Sequence, residues 1–231
     1  KRLLVARGIA DEHYKWRVFA EFKANWDLNA PDFGTMQPVM KFDNLIHQNA
    51  NSFWKVLWSA PESARAYFTR LFDEATPIPE RLKAAKEEST TMLKSFNPTW
   101  NDTAQDERGI SVIWSALDLG HHAPYKYSFY SKYCKLLGVK KGQQFHKYMH
   151  YLQLLQEFIA EWVAPDSELL AAHQRSLGEA DVLKDPRHHL LAQNIWYKVL
   201  DQVWEGADQA LPTEDQPVAP PSFLADSFLD S

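Results

Sequence analysis

Apolar residues recur along most of this chain at intervals of three and four, the spacing that places them on one face of an α-helix. Between Asp11 and Trp26, for example, Tyr14, Val18 and Phe22 fall four residues apart. Strict alternation of apolar and polar residues, which would indicate a half-buried strand, is not sustained over any long segment. The pattern therefore predicts that the chain folds mainly as helices.

Proline residues divide the chain into further helical segments. Pro61 stands where the first turn of a helix tolerates a missing backbone N–H. Pro98 and Pro165 end two later segments, because a helix rarely continues through a proline. The segments predicted from these signals are 61–72, 80–96, 145–163 and 190–204, with shorter apolar clusters at 37–49 and 53–58.

The stretch ISVIWSALDL, residues 110–119, is ambiguous because a run of apolar residues can form either a buried strand or a buried helix. Its length, the lack of a partner strand and the absence of Asn-Gly or Asp-Gly hairpin signals favour a helix. We therefore expect an all-α fold, an irregular multi-helix bundle with little or no β-sheet.

Two stretches mark candidate domain boundaries. Residues 97–109 are rich in Asn, Asp and Thr and form a possible sub-boundary within a helical domain that we expect over 1–208. Residues 209–231 are acidic and proline-rich, and no lysine or arginine follows Lys198. Such a composition is typical of a linker that buries little surface, so a flexible tether is expected at 209–222.

Composition indicates the broad class of protein. The 231 residues are 45% hydrophobic and 24% charged, which suits one large or two small globular domains with a substantial core. Cys134 is the single cysteine, so no internal disulfide can form, and no apolar run reaches the length of a membrane span. We expect a soluble, cytoplasmic protein without membrane contact. Because the first residue is Lys1 rather than methionine, we also expect a fragment of a longer protein.

The sequence offers no convincing catalytic or metal-ligating pattern. It contains no glycine-rich phosphate loop, which argues against NTP hydrolysis within this chain. His146 and His150 are four residues apart, but the intervening Lys-Tyr-Met lacks the glutamate of a metalloprotease and favours surface histidines. Cys134 lies in an apolar stretch that favours packing over nucleophilic chemistry. We expect no catalytic residue, no metal and no cofactor in this chain.

A basic and aromatic segment stands out in a chain that is acidic overall. Six lysines and no acidic residue lie between Leu119 and Glu157, so this segment carries a formal charge of +6 in a chain whose total is −5. The remainder therefore carries −11. Because lysines bind phosphates and aromatic rings stack on bases, the combination predicts a nucleic-acid surface, with DNA or another nucleic acid as the partner.

Eight residues of the basic segment are candidates for this contact. We expect the lysines to contact phosphates and Tyr125 or Tyr127 to stack on an exposed or flipped base. The candidate nucleic-acid-binding residues are Tyr125, Lys126, Tyr127, Lys132, Lys135, Lys140, Lys141 and Lys147.

The same segment has a purely structural interpretation. Helical spacing would place several apolar and aromatic side chains in the core and leave the lysines as ordinary solvated positions. The basic face could equally dock against the acidic half of the same molecule. The residues alone leave these interpretations open. The side chains expected in the core on this view are Tyr130, Tyr133, Cys134 and Leu137, with Lys132 and Lys135 in solvent.

Two stretches resemble a known family. SALDLGHHAPYKYSFYSKYCKLLG, residues 115–138, resembles the helical region before the motor of McrB-like AAA+ GTPases, which belong to modification-dependent restriction systems. PPSFLADSFLDS, residues 220–231, is similar to the short lead-in that this family places before its AAA+ domain. The resemblance covers a minority of the chain, and its two parts occur in the order that the family shows.

The resemblance implies that this chain is the N-terminal specificity region of an antiviral restriction protein and recognises DNA, often through a modified base. The missing motor would bind GTP and Mg, form a homo-oligomer and recruit an McrC-like nuclease subunit. The recognition domains of the best-known members are mixed α/β, whereas this chain is predicted to be helical. The alternative function is a helical adaptor that binds a protein partner or phage component, which the acidic total charge favours.

Overall fold

The computed structural model describes residues 10–34, 42, 45–46, 50–100, 102–177 and 184–202. Within these ranges the chain forms nine α-helices and no strand, which confirms the prediction of an all-α fold. A short 3₁₀-helix, Ala10–Glu12, precedes the first α-helix, and a π-helix, Ile159–Val163, continues the seventh. The α-helices are α1 Tyr14–Asn25, α2 Ala50–Trp58, α3 Pro61–Leu71, α4 Ile78–Phe96, α5 Glu107–Leu117, α6 Tyr127–Leu137, α7 Lys147–Phe158, α8 Ser167–Leu177 and α9 His189–Gln202.

The helix predictions agree with these bounds to within a few residues. The ambiguous stretch 110–119 is helical and lies almost entirely within α5. The long pattern at 145–163 forms α7 together with the π-helix, a change of hydrogen bonding that periodicity does not reveal. None of the described helices is both long and apolar enough to cross a lipid bilayer. The predicted linker at 209–231 and most of the apolar cluster at 37–49 lie outside the described residues.

The start of α5 and the end of α6 follow from local chemistry. The Asp106 carboxylate accepts hydrogen bonds from the backbone N–H groups of Arg108 and Gly109, both at 3.0 Å, and so caps α5. Glycine is required at position 109, since a Cβ there would stand 2.1 Å from the Ala104 carbonyl oxygen. Gly138 ends α6 with a φ of 67°, a left-handed conformation that glycine adopts without steric cost. The first of these helix ends precedes the basic segment, and the second lies within it.

An aromatic cluster joins α1, α2 and α3. Phe68 of α3 is fully buried, and its ring centroid lies 4.8 Å from that of Trp26 and 5.9 Å from that of Trp58. On the other side of this cluster, the Trp114 indole of α5 donates a hydrogen bond to the Leu71 carbonyl oxygen at 3.1 Å. This hydrogen bond joins α5, which follows the loop 97–109, to α3, which precedes that loop. The possible sub-boundary in the loop stays a prediction.

Helices α6, α7 and α9 pack against one another and extend the same core. Tyr130 and Cys134 of α6 are buried and Tyr133 is partly buried, in agreement with the core face that helical spacing predicts. The prediction for Leu137 is wrong, because this side chain is 43% exposed while Leu136 is buried. Leu137 is the last residue of α6, at the point where the chain turns away and leaves that end of the helix uncovered.

Buried His173 and partly buried His122 make the stability of this core depend on pH. Burial lowers the pKa of His122 to about 4, and burial also lowers the pKa of His173 to about 4. Both histidines are therefore neutral in the folded protein at neutral pH, whereas in the unfolded chain they titrate near about 6.5. Their contribution to stability is complete above this value and is lost as the pH falls from about 6.5 towards about 4.

We expect the free energy of unfolding to fall on the order of 1–2 kcal/mol for each of these two histidines between pH 7 and pH 5. Urea unfolding of the wild type and of His173→Phe at both pH values measures this, because the phenylalanine cannot take up a proton. The variant should lose less stability than the wild type over the same interval. His146→Gln, which alters an exposed histidine, is the control. Equal losses in the wild type and His173→Phe would contradict the assignment for that residue.

Candidate nucleic-acid interface

The basic segment folds as α6, a return segment and α7. The return segment, residues 138–146, runs back along α6 and brings Lys141 to the first turn of that helix. The Lys141 ammonium donates hydrogen bonds to the Tyr127 hydroxyl at 3.3 Å and to the Ser131 hydroxyl at 3.4 Å. Lysines that are distant from the aromatic residues in sequence therefore lie beside them in the structure.

Tyr130 fixes the position of the return segment. Its ring is fully buried, and its hydroxyl accepts a hydrogen bond from the Gly142 backbone N–H at 2.6 Å. The same hydroxyl forms a hydrogen bond with His150 Nδ1 of α7 at 2.8 Å. The Tyr130 side chain thus connects α6, the return segment and α7. His150 is the residue of α7 that takes part in this connection.

Replacing Tyr130 by phenylalanine is expected to lower the free energy of unfolding by about 1–3 kcal/mol, because the Gly142 N–H loses its acceptor. Tyr125→Phe is a matched control, since the Tyr125 hydroxyl is buried and has no hydrogen-bond partner in the described structure. Its removal should change stability by less than about 1 kcal/mol. Urea titrations of both variants measure the difference, and equal effects would argue against the role given to Tyr130.

Exposed Tyr127 and Lys141 lie together with the partly buried Lys147 in one group, which we call the Tyr127 platform. The Tyr127 side chain is 48% exposed. The ammonium groups of Lys141 and Lys147 lie 5.6 and 5.3 Å from its ring centroid, within the range of cation–π attraction. The hydrogen bond from Lys141 and the nearby lysine charges lower the pKa of the Tyr127 hydroxyl. The platform therefore offers a flat ring with two positive charges close to it.

A shallow cavity of about 380 Å³ adjoins the platform. Tyr127, Lys147 and Lys126 line one part of it, and Asp106 and Glu107 at the start of α5 line another. The Glu107 carboxylate accepts a hydrogen bond from the Lys147 backbone N–H at 3.2 Å, and burial raises the pKa of Glu107. The two acidic side chains therefore have structural roles. Asp106 caps the start of α5, and Glu107 accepts a hydrogen bond at the start of α7.

The remaining predicted lysines are not all on this face. Lys140 is exposed and precedes Lys141 in the return segment, and Lys126 is exposed beside the platform. Lys132 is partly buried, and its ammonium donates a hydrogen bond to the Leu200 carbonyl oxygen of α9 at 3.2 Å. We therefore assign Lys132 to the packing of α6 on α9. Lys135 is exposed in the last turn of α6, towards the end opposite Tyr127.

The expectation that Tyr125 can stack on an exposed base is wrong. Its side chain is 3% exposed, and its ring centroid lies 5.7 Å from that of Tyr130 and 5.3 Å from that of Tyr151. The Tyr125 backbone N–H donates a hydrogen bond to the Ser111 hydroxyl at 2.9 Å, which draws this residue into the core before α6 begins. Tyr127, two residues later, is exposed and stays the candidate for stacking.

Exposed apolar side chains near the lysines are a feature that the sequence reasoning missed. Met149 belongs to the apolar pattern of the predicted helix 145–163, but it is 46% exposed because α7 turns that side towards solvent. Val139 of the return segment is 39% exposed. Together with Leu137 and Tyr127, these side chains account for most of the large exposed apolar residues in the described ranges. The basic segment therefore exposes apolar side chains as well as lysines.

The described residues contain no group of three or more His, Cys, Asp or Glu side chains that could hold a metal ion. His146 is exposed in the return segment, away from the core. Cys134 is buried, and burial raises the pKa of its thiol, as in a cysteine that serves packing.

Comparisons with known proteins identify no relative of this chain. No protein-family model matches the chain, and no curated protein and no solved structure matches it either.

Proposed function

We propose that this protein binds nucleic acid through the Tyr127 platform together with Lys126 and Lys140, and that it favours single-stranded or otherwise exposed bases. The observation that carries the proposal is the 48% exposed Tyr127 ring with two ammonium groups within 5.6 Å of its centroid. Such a ring can stack on a base while the two lysines near it contact the phosphates of the same strand.

The charge distribution favours the same surface. The segment from Gly120 to Gln156 carries +6, while the chain as a whole carries −5. An acidic remainder repels a nucleic-acid strand, so approach through the basic face lowers the electrostatic cost of association. Binding on this basis is largely independent of base sequence and weakens steeply with salt.

The biological setting that we propose rests on the two stretches that resemble McrB-like GTPases. In that setting this chain is the cytoplasmic specificity domain of a restriction protein. It would deliver DNA, with or without a modified base, to a GTPase motor and an McrC-like nuclease. The helical fold differs from the mixed α/β recognition domains of the best-known members of that family.

A second candidate function is a protein adaptor, which the exposed apolar residues favour. Val139 and Met149 lie close in sequence to the basic lysines and are 39% and 46% exposed. Protein partners bind such mixed apolar and polar surfaces readily, whereas phosphate contacts do not use the apolar part. An adaptor would bind its partner through buried apolar area and would depend little on salt.

Titration of the purified protein with fluorescently labelled oligonucleotides separates these functions. Single-stranded and duplex DNA, unmodified and with methylated cytosine, are each titrated at low and at physiological salt. The proposal predicts measurable affinity at low salt that falls linearly on a plot of log affinity against log salt concentration. Absence of binding to every oligonucleotide at low salt would reject the nucleic-acid function and leave the adaptor function.

A further inference from the structure

Residues 203–231, which we call the acidic segment, have a charge opposite to that of the basic segment. They contain six acidic residues and no lysine or arginine, which gives a formal charge of −6, and they lie outside the described residues. The basic segment, from Gly120 to Gln156, contains six lysines and no acidic residue. Opposite charges attract, and two sites on one chain meet at a high effective concentration. The acidic segment is therefore a candidate partner for the basic segment.

The acidic segment begins beside α6. Lys132 of α6 donates a hydrogen bond to the Leu200 carbonyl oxygen of α9 at 3.2 Å. The ring centroids of Tyr133 on α6 and Trp196 on α9 are 3.8 Å apart. Gln202, the last described residue, follows Leu200 by two positions. The chain therefore enters the acidic segment from a helix that is packed directly on the basic segment.

The acidic segment is long enough to reach the Tyr127 platform. Phe223 follows Gln202 by 21 residues. A flexible chain of this length spans about 25 Å on average. Helix α6 has 11 residues and is about 16 Å long, with Tyr127 in its first turn. The connecting residues can therefore bring Phe223 to the platform without being fully extended.

The Tyr127 platform continues into the return segment as a surface of apolar and positively charged side chains. The Tyr127 side chain is 48% exposed, and Val139 is 39% exposed. Val139 and the exposed Lys140 directly precede Lys141 in the chain. The Lys141 ammonium donates a hydrogen bond to the Tyr127 hydroxyl at 3.3 Å. Chain connectivity therefore keeps Val139 and Lys140 close to the platform.

Two lysines of this surface have no carboxylate as a partner in the described part of the chain. Lys141 donates its hydrogen bonds to the hydroxyl groups of Tyr127 and Ser131. Neither Lys140 nor Lys141 forms an ion pair with an acidic side chain of the described ranges. An exposed ion pair contributes little by itself and weakens with salt, so contacts formed with these lysines are reversible.

The stretch FLADSFLD, residues 223–230, has a composition complementary to this surface. Phe223 and Phe228 are each followed by a leucine, and the stretch also contains Asp226 and Asp230. The apolar side chains can bury area against an apolar surface, while the carboxylates can pair with lysines. The stretch therefore matches the platform and its extension both in apolar character and in the sign of the charge.

We infer that residues 223–230 dock on the Tyr127 platform together with Val139 and Lys140. The two phenylalanines lie against the Tyr127 ring and Val139, and the two aspartates pair with Lys140 and Lys141. In the proposed function a nucleic-acid strand uses the same ring and lysines, so the docked residues compete with it. The docking does not require nucleic acid, and only the competition rests on the proposed function.

Carbodiimide cross-linking of the whole chain tests the docking in the absence of nucleic acid. This reagent joins a carboxylate to an amine without a spacer, so the two groups must be in contact. At low salt, peptide mass spectrometry should identify a link from Asp226 or Asp230 to Lys140 or Lys141. Its yield should not depend on protein concentration, because both partners belong to one molecule.

Two double variants show whether the apolar side chains direct this contact. Phe223→Ser with Phe228→Ser should lose the link, although every charge is kept. Leu211→Ser with Val218→Ser is the matched control, because it removes two apolar side chains from the acidic segment outside residues 223–230. The control should keep the link at the yield of the wild type.

Oligonucleotide binding separates the docking from the proposed function. A covered site lowers the apparent affinity by the fraction of molecules in which it is covered. Phe223→Ser with Phe228→Ser should therefore bind a single-stranded oligonucleotide severalfold more tightly than the wild type. Equal measurable affinities would overturn the competition. The expected link without any oligonucleotide binding would support the docking and reject the nucleic-acid function.

The docking itself is overturned by any of four results from the cross-linking. The link may be absent, its yield may rise with protein concentration, or both double variants may lose it alike. The fourth result is that Lys23 and Lys94, which are exposed on α1 and α4, are linked to the two aspartates as often as Lys140 and Lys141.

Discussion

Replacing Phe68 by alanine is expected to lower the free energy of unfolding by about 3–5 kcal/mol, the largest stability effect that this core predicts. Phe68 is fully buried, and its ring lies among those of Trp26, Trp58 and Tyr67, with centroid distances of 4.8, 5.9 and 5.3 Å. Truncation removes these contacts and leaves a cavity that rigid aromatic neighbours cannot easily fill.

Urea unfolding followed by circular dichroism measures this loss. Phe96→Ala is the matched control, because the same truncation is made at a side chain that is 66% exposed and should change stability by less than about 0.5 kcal/mol. If Phe68→Ala does not fold, Phe68→Leu should still fold and lose about 1 kcal/mol. Similar midpoints for Phe68→Ala and Phe96→Ala would show that Phe68 is not central to the core.

The double variant Lys140→Glu with Lys141→Glu is expected to weaken binding to all oligonucleotides alike. Both lysines are exposed in the return segment, outside any helix, so folding should be preserved. Each phosphate contact that is lost reduces the slope of log affinity against log salt by about one, so a reduction of about two is expected. The measurement is an anisotropy titration over a series of salt concentrations.

The matched control for this variant is Lys23→Glu with Lys94→Glu. Both residues are exposed, on α1 and α4, and the change in net charge is the same. If affinity depended only on total charge, the two double variants would weaken binding equally, which would contradict a defined interface. The proposed interface requires that the control keeps a salt slope close to that of the wild type.

The fold could be predicted from the sequence because helical periodicity is a local property. The segment 110–119 illustrates this. Its length and its helical surroundings predict a helix, and it lies almost entirely within α5. Periodicity was less reliable at helix ends and on partly covered helices. Leu137 and Met149 fall on apolar stripes, yet both are exposed, because exposure depends on whether another element covers that part of the helix.

The candidate site could be predicted only in part. Charge and composition marked the basic segment correctly as unusual, but Tyr125 and Tyr127 flank the same lysine, and the sequence did not show that only Tyr127 is exposed. Tyr125 differs from Tyr127 because its backbone N–H donates a hydrogen bond to the Ser111 hydroxyl of α5, which holds it in the core. The hydrogen bond from Lys15 of α1 to Gln193 of α9 had no sequence signal, because the two residues lie 178 positions apart in the chain.

The central claim is that a nucleic-acid strand stacks on Tyr127, and photo-cross-linking tests it most directly. A single-stranded oligonucleotide with 5-iodouracil at one position is bound to the protein and irradiated, and the linked residue is identified by peptide mass spectrometry. Iodouracil cross-links preferentially to an aromatic ring on which it stacks. The stacking contact should be worth about 1–3 kcal/mol, so Tyr127→Ala should lose both the cross-link and that part of the affinity.

The account predicts that the cross-link maps to Tyr127 and that Tyr125, which is buried, is not linked. A bound oligonucleotide that cross-links to residues outside α6, the return segment and α7 would contradict the proposed interface. Binding that survives Tyr127→Ala with unchanged affinity and an unchanged cross-link would contradict it equally.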